Sequence, residues 1–175
     1  MYPFRLPRFT IPELPPGTPD SWLIRLQSSS DEPMETRISA FRTYVRTRVF
    51  DQDSLVRVDQ MLSEFQFEYR VYAYHIVCQL LDEGRTLSDA PQAKPIIQRI
   101  VRRAAQEPRP ELFAAALALR VGLGEESARK EAARIAKGEL PAHYAEHSKD
   151  RQCLGVLKRV AKGIITENSL ALPFF

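Results

Sequence analysis

Residues 55–84 read LVRVDQMLSEFQFEYRVYAYHIVCQLLDEG, and apolar side chains recur along them every three or four positions. Leu55, Val58, Leu62, Phe65, Tyr69, Tyr72, Ile76 and Leu80 form the series, the spacing that gathers side chains on one face of an α-helix. No proline or glycine interrupts it before Gly84. Read as one helix capped by Asp53, the stretch runs about 29 residues and ~44 Å, which makes it the spine of an all-α fold. Phe67 and Tyr74 fall on a second face of the same helix. A helix that is apolar on two sides is either central in its bundle or carries a surface that another segment covers.

Outward from the spine, punctuating residues divide the chain into further helices. Ser21–Gln27 reads as a short amphipathic turn with Trp22, Leu23 and Leu26 on one side. Three serines lead to Asp31, an N-cap with Pro33 in the first turn, and Ile38, Phe41, Val45 and Val49 carry a helix to about Phe50. Pro91 and Pro95 open a helix that ends near Gln106 and turns Ile96, Ile97, Ile100 and Val101 inward. An alanine-rich helix follows from Glu111 to Val121, stopped by Gly122, and another from Glu125 to Lys137, closed by Gly138 as a left-handed cap. A brief helix is expected at Pro141–His147. The last, from Asp150 to about Glu167, buries Leu154, Leu157, Val160, Ala161 and Ile164. The expected fold is an irregular all-α bundle of about six to seven helices, a single domain over residues 21–167.

Both ends of the chain depart from the helical body. Residues 1–20 contain Pro3, Pro7, Pro12, Pro15, Pro16 and Pro19, which forbid a helix, yet they also carry Phe4, Leu6, Phe9, Ile11 and Leu14. Disordered tails are poor in such residues because they have nothing to bury. The segment therefore reads as an extended docking arm. Residues 168–175 repeat the idea with Leu170, Leu172, Phe174 and Phe175.

Bulk composition excludes several classes. Apolar residues at 44% and charged residues at 27% are globular values and rule out a disordered chain. A net charge of +3 is milder than that of a dedicated nucleic-acid binder. Two cysteines, Cys78 and Cys153, are too few for a disulfide framework, and Cys78 sits in an apolar run as a core thiol. No apolar run reaches the ~18 residues of a membrane span, and prolines break the start where a signal peptide needs an apolar stretch. A cytoplasmic protein without a membrane association is expected.

Two short motifs bear on chemistry. His143-Tyr144-Ala145-Glu146-His147 resembles the H-x-x-E-H motif of inverzincin peptidases, in which two histidines one helical turn apart hold zinc beside a catalytic glutamate. The likeness covers those five positions alone. Only Asp150 and Glu167 follow as acidic ligands, and the reading adopted is two surface histidines with no metal. Residues 111–137 resemble a DNA-reading helix-turn-helix, with Ala118 at the small-residue position, Gly122 in the turn, and Leu117, Val121 and Leu123 as internal contacts. The second helix departs from that pattern. Glu131 stands where an apolar residue should lock the helices, and Glu125 and Glu126 stand where base-reading residues belong. Arg129, Lys130, Arg134 and Lys137 remain able to touch a phosphate backbone.

Charge is distributed unevenly. Between Arg85 and Gln106, Arg85, Lys94, Arg99, Arg102 and Arg103 stand against Asp89 alone, while Lys158, Arg159 and Lys162 share a face of the last helix. These six, Arg99, Arg102, Arg103, Lys158, Arg159 and Lys162, are the candidate nucleic-acid contacts, directed at the backbone and blind to sequence. Phe4, Leu6, Phe9, Ile11, Phe174 and Phe175 are the candidate protein-binding residues. Phosphate loops, serine elbows and nucleophile pairs are missing, so no catalytic residue and no cofactor is expected. The functional expectation is a non-enzymatic assembly subunit that binds a protein partner or itself through its terminal arms. The alternative is a nucleic-acid-binding protein.

Overall fold

The computed structural model describes residues 12–46, 50–65, 67–107, 110–141 and 151–172. Eight α-helices lie among the described residues: α1 (Asp20–Ser28), α2 (Met34–Arg46), α3 (Gln52–Glu64), α4 (Phe67–Asp82), α5 (Ala93–Ala105), α6 (Pro110–Gly122), α7 (Glu126–Ala136) and α8 (Arg151–Glu167). The fold is all-α. Extended pairing among the described residues is an isolated parallel bridge from Phe50 to Leu87, beside which Ser88 N–H donates to the Phe50 carbonyl at 2.8 Å. None of the described helices is long and apolar enough to cross a membrane. The brief helix expected at Pro141–His147 falls almost wholly outside the described residues.

The expected spine is two helices, not one. α3 starts from Asp51, whose carboxylate accepts the Ser54 N–H at 2.8 Å, so Asp51 and not Asp53 is the cap. It ends at Phe65, which is extended (φ −74°, ψ 139°). No proline or glycine stands there, and tertiary contacts gather at the break. The Arg37 guanidinium lies 5.4 Å from the centre of the buried Phe65 ring and bonds Glu64 at 2.5 Å. Arg70, one turn into α4, donates to the Phe65 carbonyl at 3.2 Å and so takes the place of the helical bond that was lost. The break resets the phase of α4. Tyr74, assigned above to a second face, is completely buried, whereas Tyr69 and Tyr72 are partly exposed. The Tyr74 hydroxyl donates to Glu107 at 2.9 Å, and Arg70 bonds the other oxygen of that carboxylate at 2.5 Å, which pins the end of α5 to α4. Burial first, and then the Glu107 charge, push the Tyr74 phenol well above its ordinary range.

The centre of the molecule is α6. Every residue from Leu112 to Val121 is buried, and α6 packs against α4, α5, α7 and α8. Leu112, Phe113, Leu117 and Leu119 supply bulk, and the alanines between them let neighbouring helices approach. Outside this centre, α1 packs on α2, α2 on α4, α3 on α5, and α7 on α8. Trp22 does not join Leu23 in the interior. It is 57% exposed on α1.

A polar seam closes the α1–α2–α3 corner. Arg37 donates to the Gln27 carbonyl at 2.7 Å, and the fully buried Gln27 amide donates to the Arg57 carbonyl at 3.3 Å. Replacing Arg37 by Met leaves the Gln27 carbonyl and Glu64 without this donor and removes the cation from Phe65. Arg37→Met is expected to lower unfolding stability by about 2–3 kcal/mol, read as a drop in urea midpoint at constant slope. A midpoint unchanged from wild type would show that the seam does not hold the corner.

Candidate nucleic-acid interface

The two predicted basic faces meet different fates. On α5, Arg99 and Arg103 both reach Asp59 of α3, at 3.3 and 3.4 Å. These are surface ion pairs to one carboxylate between α5 and α3, and Arg99, Arg102 and Arg103 are all exposed. On α8, Lys158, Arg159 and Lys162 are all exposed and line a single open cleft of about 640 Å³. The two helices have different neighbours, α5 lying on α3 and α6, α8 on α6 and α7. Of the six side chains, the three of α8 line this cleft.

The cleft is built from α8 and the segment that follows it. Its lining runs along the outer face of the helix through Gly155, Lys158, Arg159, Lys162, Gly163, Thr166 and Glu167, and is completed by Ser169 and Ala171. Of the expected inner face, Leu157, Val160, Ala161 and Ile164 are buried, Leu154 is only partly so, and Val156 is buried beside them. α8 ends where Asn168 turns left-handed (φ 51°) and Ser169 N–H donates back to the Gly163 carbonyl at 3.1 Å. The chain then runs extended. Leu170 N–H donates to Asp82 at 2.8 Å, and Leu172 is buried. Leu170 and Leu172 thus face the interior while Ser169 and Ala171 face the cleft. Gly122 leaves room for this docking: a Cβ there would lie 2.8 Å from the ends of both Leu170 and Leu81, which would have to shift. The inner part of the C-terminal arm therefore docks on its own chain.

The inner part of the N-terminal arm does the same. Ser39 of α2 donates to the Pro12 carbonyl, and Leu14 packs against the core. The predicted protein-binding residues Phe4, Leu6, Phe9, Ile11, Phe174 and Phe175 lie outside the described residues, as do His143 and His147 and the side chain of Cys153. Cys78 is buried, and burial pushes its thiol well up from its ordinary value, as for a core group. Among the described residues, no cluster of three His, Cys, Asp or Glu side chains comes together as a metal site.

The segment that resembles a helix-turn-helix is locked by charge. Gly124, not Gly122, is the left-handed turn residue (φ 85°), and Glu125 N–H closes the turn on the Arg120 carbonyl at 3.0 Å. The Arg120 side chain, 7% exposed, grips Glu125 with two bonds of 2.7 and 2.9 Å and Glu131 with one of 3.0 Å. Glu131, at the position of the apolar lock, is thus the second half of an ionic one. Glu125, at a base-reading position, is turned inward to serve it. The exposed face of α7 carries Glu126, Ser127, Arg129, Lys130, Arg134 and Lys137. Arg129 bonds Asn168 at 3.3 Å, which sets the start of α7 beside the end of α8.

Sequence reasoning found the cations of α8 but missed Gly155, Gly163, Ser169 and Ala171. Two glycines eight residues apart inside an otherwise helical pattern were the available signal. Comparison of the chain with models of known protein families, with curated proteins and with solved structures finds no match.

The ionic lock makes stability pH-dependent. Hydrogen bonding by Arg120 lowers the Glu125 carboxyl, against burial and with help from Ser127. A depressed carboxylate contributes stability above its unfolded pKa and loses it as pH falls through the folded value. Glu125→Gln is expected to be less stable than wild type at neutral pH. The gap in urea midpoint should close as pH falls from about 4.3 toward lower values, because wild-type Glu125 then protonates. A gap that stays constant over that range would exclude the charged contribution.

Proposed function

We propose that this chain is a non-enzymatic nucleic-acid-binding subunit whose α8 face engages the phosphodiester backbone. The observation that carries the reading is the convergence of Lys158, Arg159 and Lys162 on one open cleft. Such a face supplies sequence-blind affinity, because ammonium and guanidinium groups displace condensed counterions from the phosphates. On the adjoining α7, Arg129, Arg134 and Lys137 are exposed cations, while Lys130 pairs with Glu126 at 3.2 Å. Arg99 and Arg103 contribute less, since Asp59 already neutralises part of their charge.

Fluorescence anisotropy with a labelled mixed-sequence oligonucleotide tests this. Affinity should fall steeply between about 50 and about 200 mM salt. Lys158→Glu combined with Lys162→Glu should weaken binding by about tenfold or more, whereas Arg102→Glu on α5 should change it by less than about threefold. Absence of binding at the lower salt would sink the proposal.

A second reading, assembly through the arms, is favoured by Trp22. This large exposed side chain sits just after the arm's docked inner part, and tryptophan is enriched among interface anchors. Removal of residues 1–11 keeps the Pro12 and Leu14 contacts and is expected to abolish self-association or capture of a partner, as read by light scattering. Trp22→Ser should do the same. Assembly unaffected by both changes would remove this reading.

A further inference from the structure

We infer that the α8 cleft takes a single-stranded nucleic acid whose backbone lies directly on the helix, over Gly155 and Gly163. The inference rests on the reading of α8 as a phosphate-binding face and names the class of strand it accepts.

The glycines carry the argument together with the cations that flank them. A glycine inside a helix is less favourable than alanine, so two in one helix call for a use. Gly122 has one, since Leu170 and Leu81 fill the space a Cβ would take. Gly155 has no such occupant among the described residues, none of which lies within 4 Å of its missing Cβ, and Gly163 meets the Ser169 carbonyl oxygen at 4.0 Å. The space at both opens into the cleft. Gly155, Arg159 and Gly163 follow one another at helical spacing along its floor, and Lys158, Lys162 and Thr166 form the adjacent row. A backbone laid on the floor would meet helix atoms at the two glycines, with Arg159 between them and Lys158 and Lys162 on its flank.

The walls select the strand. A helix that reads a duplex must stand clear of its surroundings to enter a groove. α8 does not stand clear on this side, because the segment holding Ser169 and Ala171 rises beside it and is tied down by Asp82 and by buried Leu172. A flexible single strand can follow such a trough. Among the described residues no aromatic side chain lines it, and contacts directed at the phosphates predict a weak sequence preference. Glu167 repels phosphate at the far end and bounds the site.

The test compares a labelled single strand of about 20 nucleotides, as RNA and as DNA, with the duplex of the same sequence. Single strands are expected to bind at least about tenfold more tightly, with a salt slope near −2 for about three phosphate contacts. Lys162→Gln should reduce that slope by about 0.7. Gly155→Ala and Gly163→Ala should each raise the melting temperature by about 2–4 °C while weakening single-strand binding several-fold. A merely structural glycine would not couple higher stability to lower affinity. Equal binding of duplex and single strand, still lost on Lys158→Glu with Lys162→Glu, would overturn this inference and leave the phosphate-binding reading intact. Alanine variants that keep full affinity would overturn it in the same way. No binding of any form would end both.

Discussion

A helix without a solvent-facing side constrains the rest of this fold. From Leu112 to Val121, α6 is enclosed by α4, α5, α7 and α8. Such a helix cannot use amphipathic pattern to orient itself, so shape must do it. Alanines at 114, 115, 116 and 118 let the neighbours come close, and Leu112, Phe113, Leu117 and Leu119 fill the gaps between them. The one cation it carries, Arg120, is satisfied at once by the turn that follows and by the next helix. That pairing trades a desolvated guanidinium for a fixed α6–α7 corner, and the corner in turn sets where α8 lies.

The other half of the molecule is organised by a different cation. Arg37 joins the end of α1, the end of α3 and the ring of Phe65. Its contacts gather at the end of α3, where the sequence carries no proline or glycine to mark a stop. The turn brings α4 onto α2 and α6 and leaves α3 free to pack on α5. There, Asp59 gathers Arg99 and Arg103. The most basic stretch of the sequence is thereby partly paired at the surface. The cations of α8 face a cleft walled by the end of the chain, and the difference between the two faces is one of neighbours, not of composition.

Much of this was legible from residue order alone. The all-α class, the buried faces of α2 and α8, the left-handed Gly138 and the burial of Cys78 follow from periodicity and punctuation. The cations of α8 were identifiable as a face, since their spacing fixes their direction on any helix. The break after Phe65 was not, nor the exposure of Trp22, nor the inward turn of Glu125. The first two depend on packing between separate elements, Arg37 on Phe65 and α1 on α2 for Trp22, and the third on the burial of Arg120, five residues before Glu125.

Sequence by itself therefore determined which segments are helical and which side of most of them is apolar, because those properties come from side chains three and four residues apart. Tertiary structure alone decided which helix is central, where the long apolar run bends, and which positive charges are already paired. It also decided that the inner ends of both arms lie on their own chain, through Pro12 on Ser39 and Leu170 on Asp82. The physical reason is range. Periodicity reports local sterics, whereas burial and charge pairing are settled by whichever distant groups the packing brings within a few ångströms.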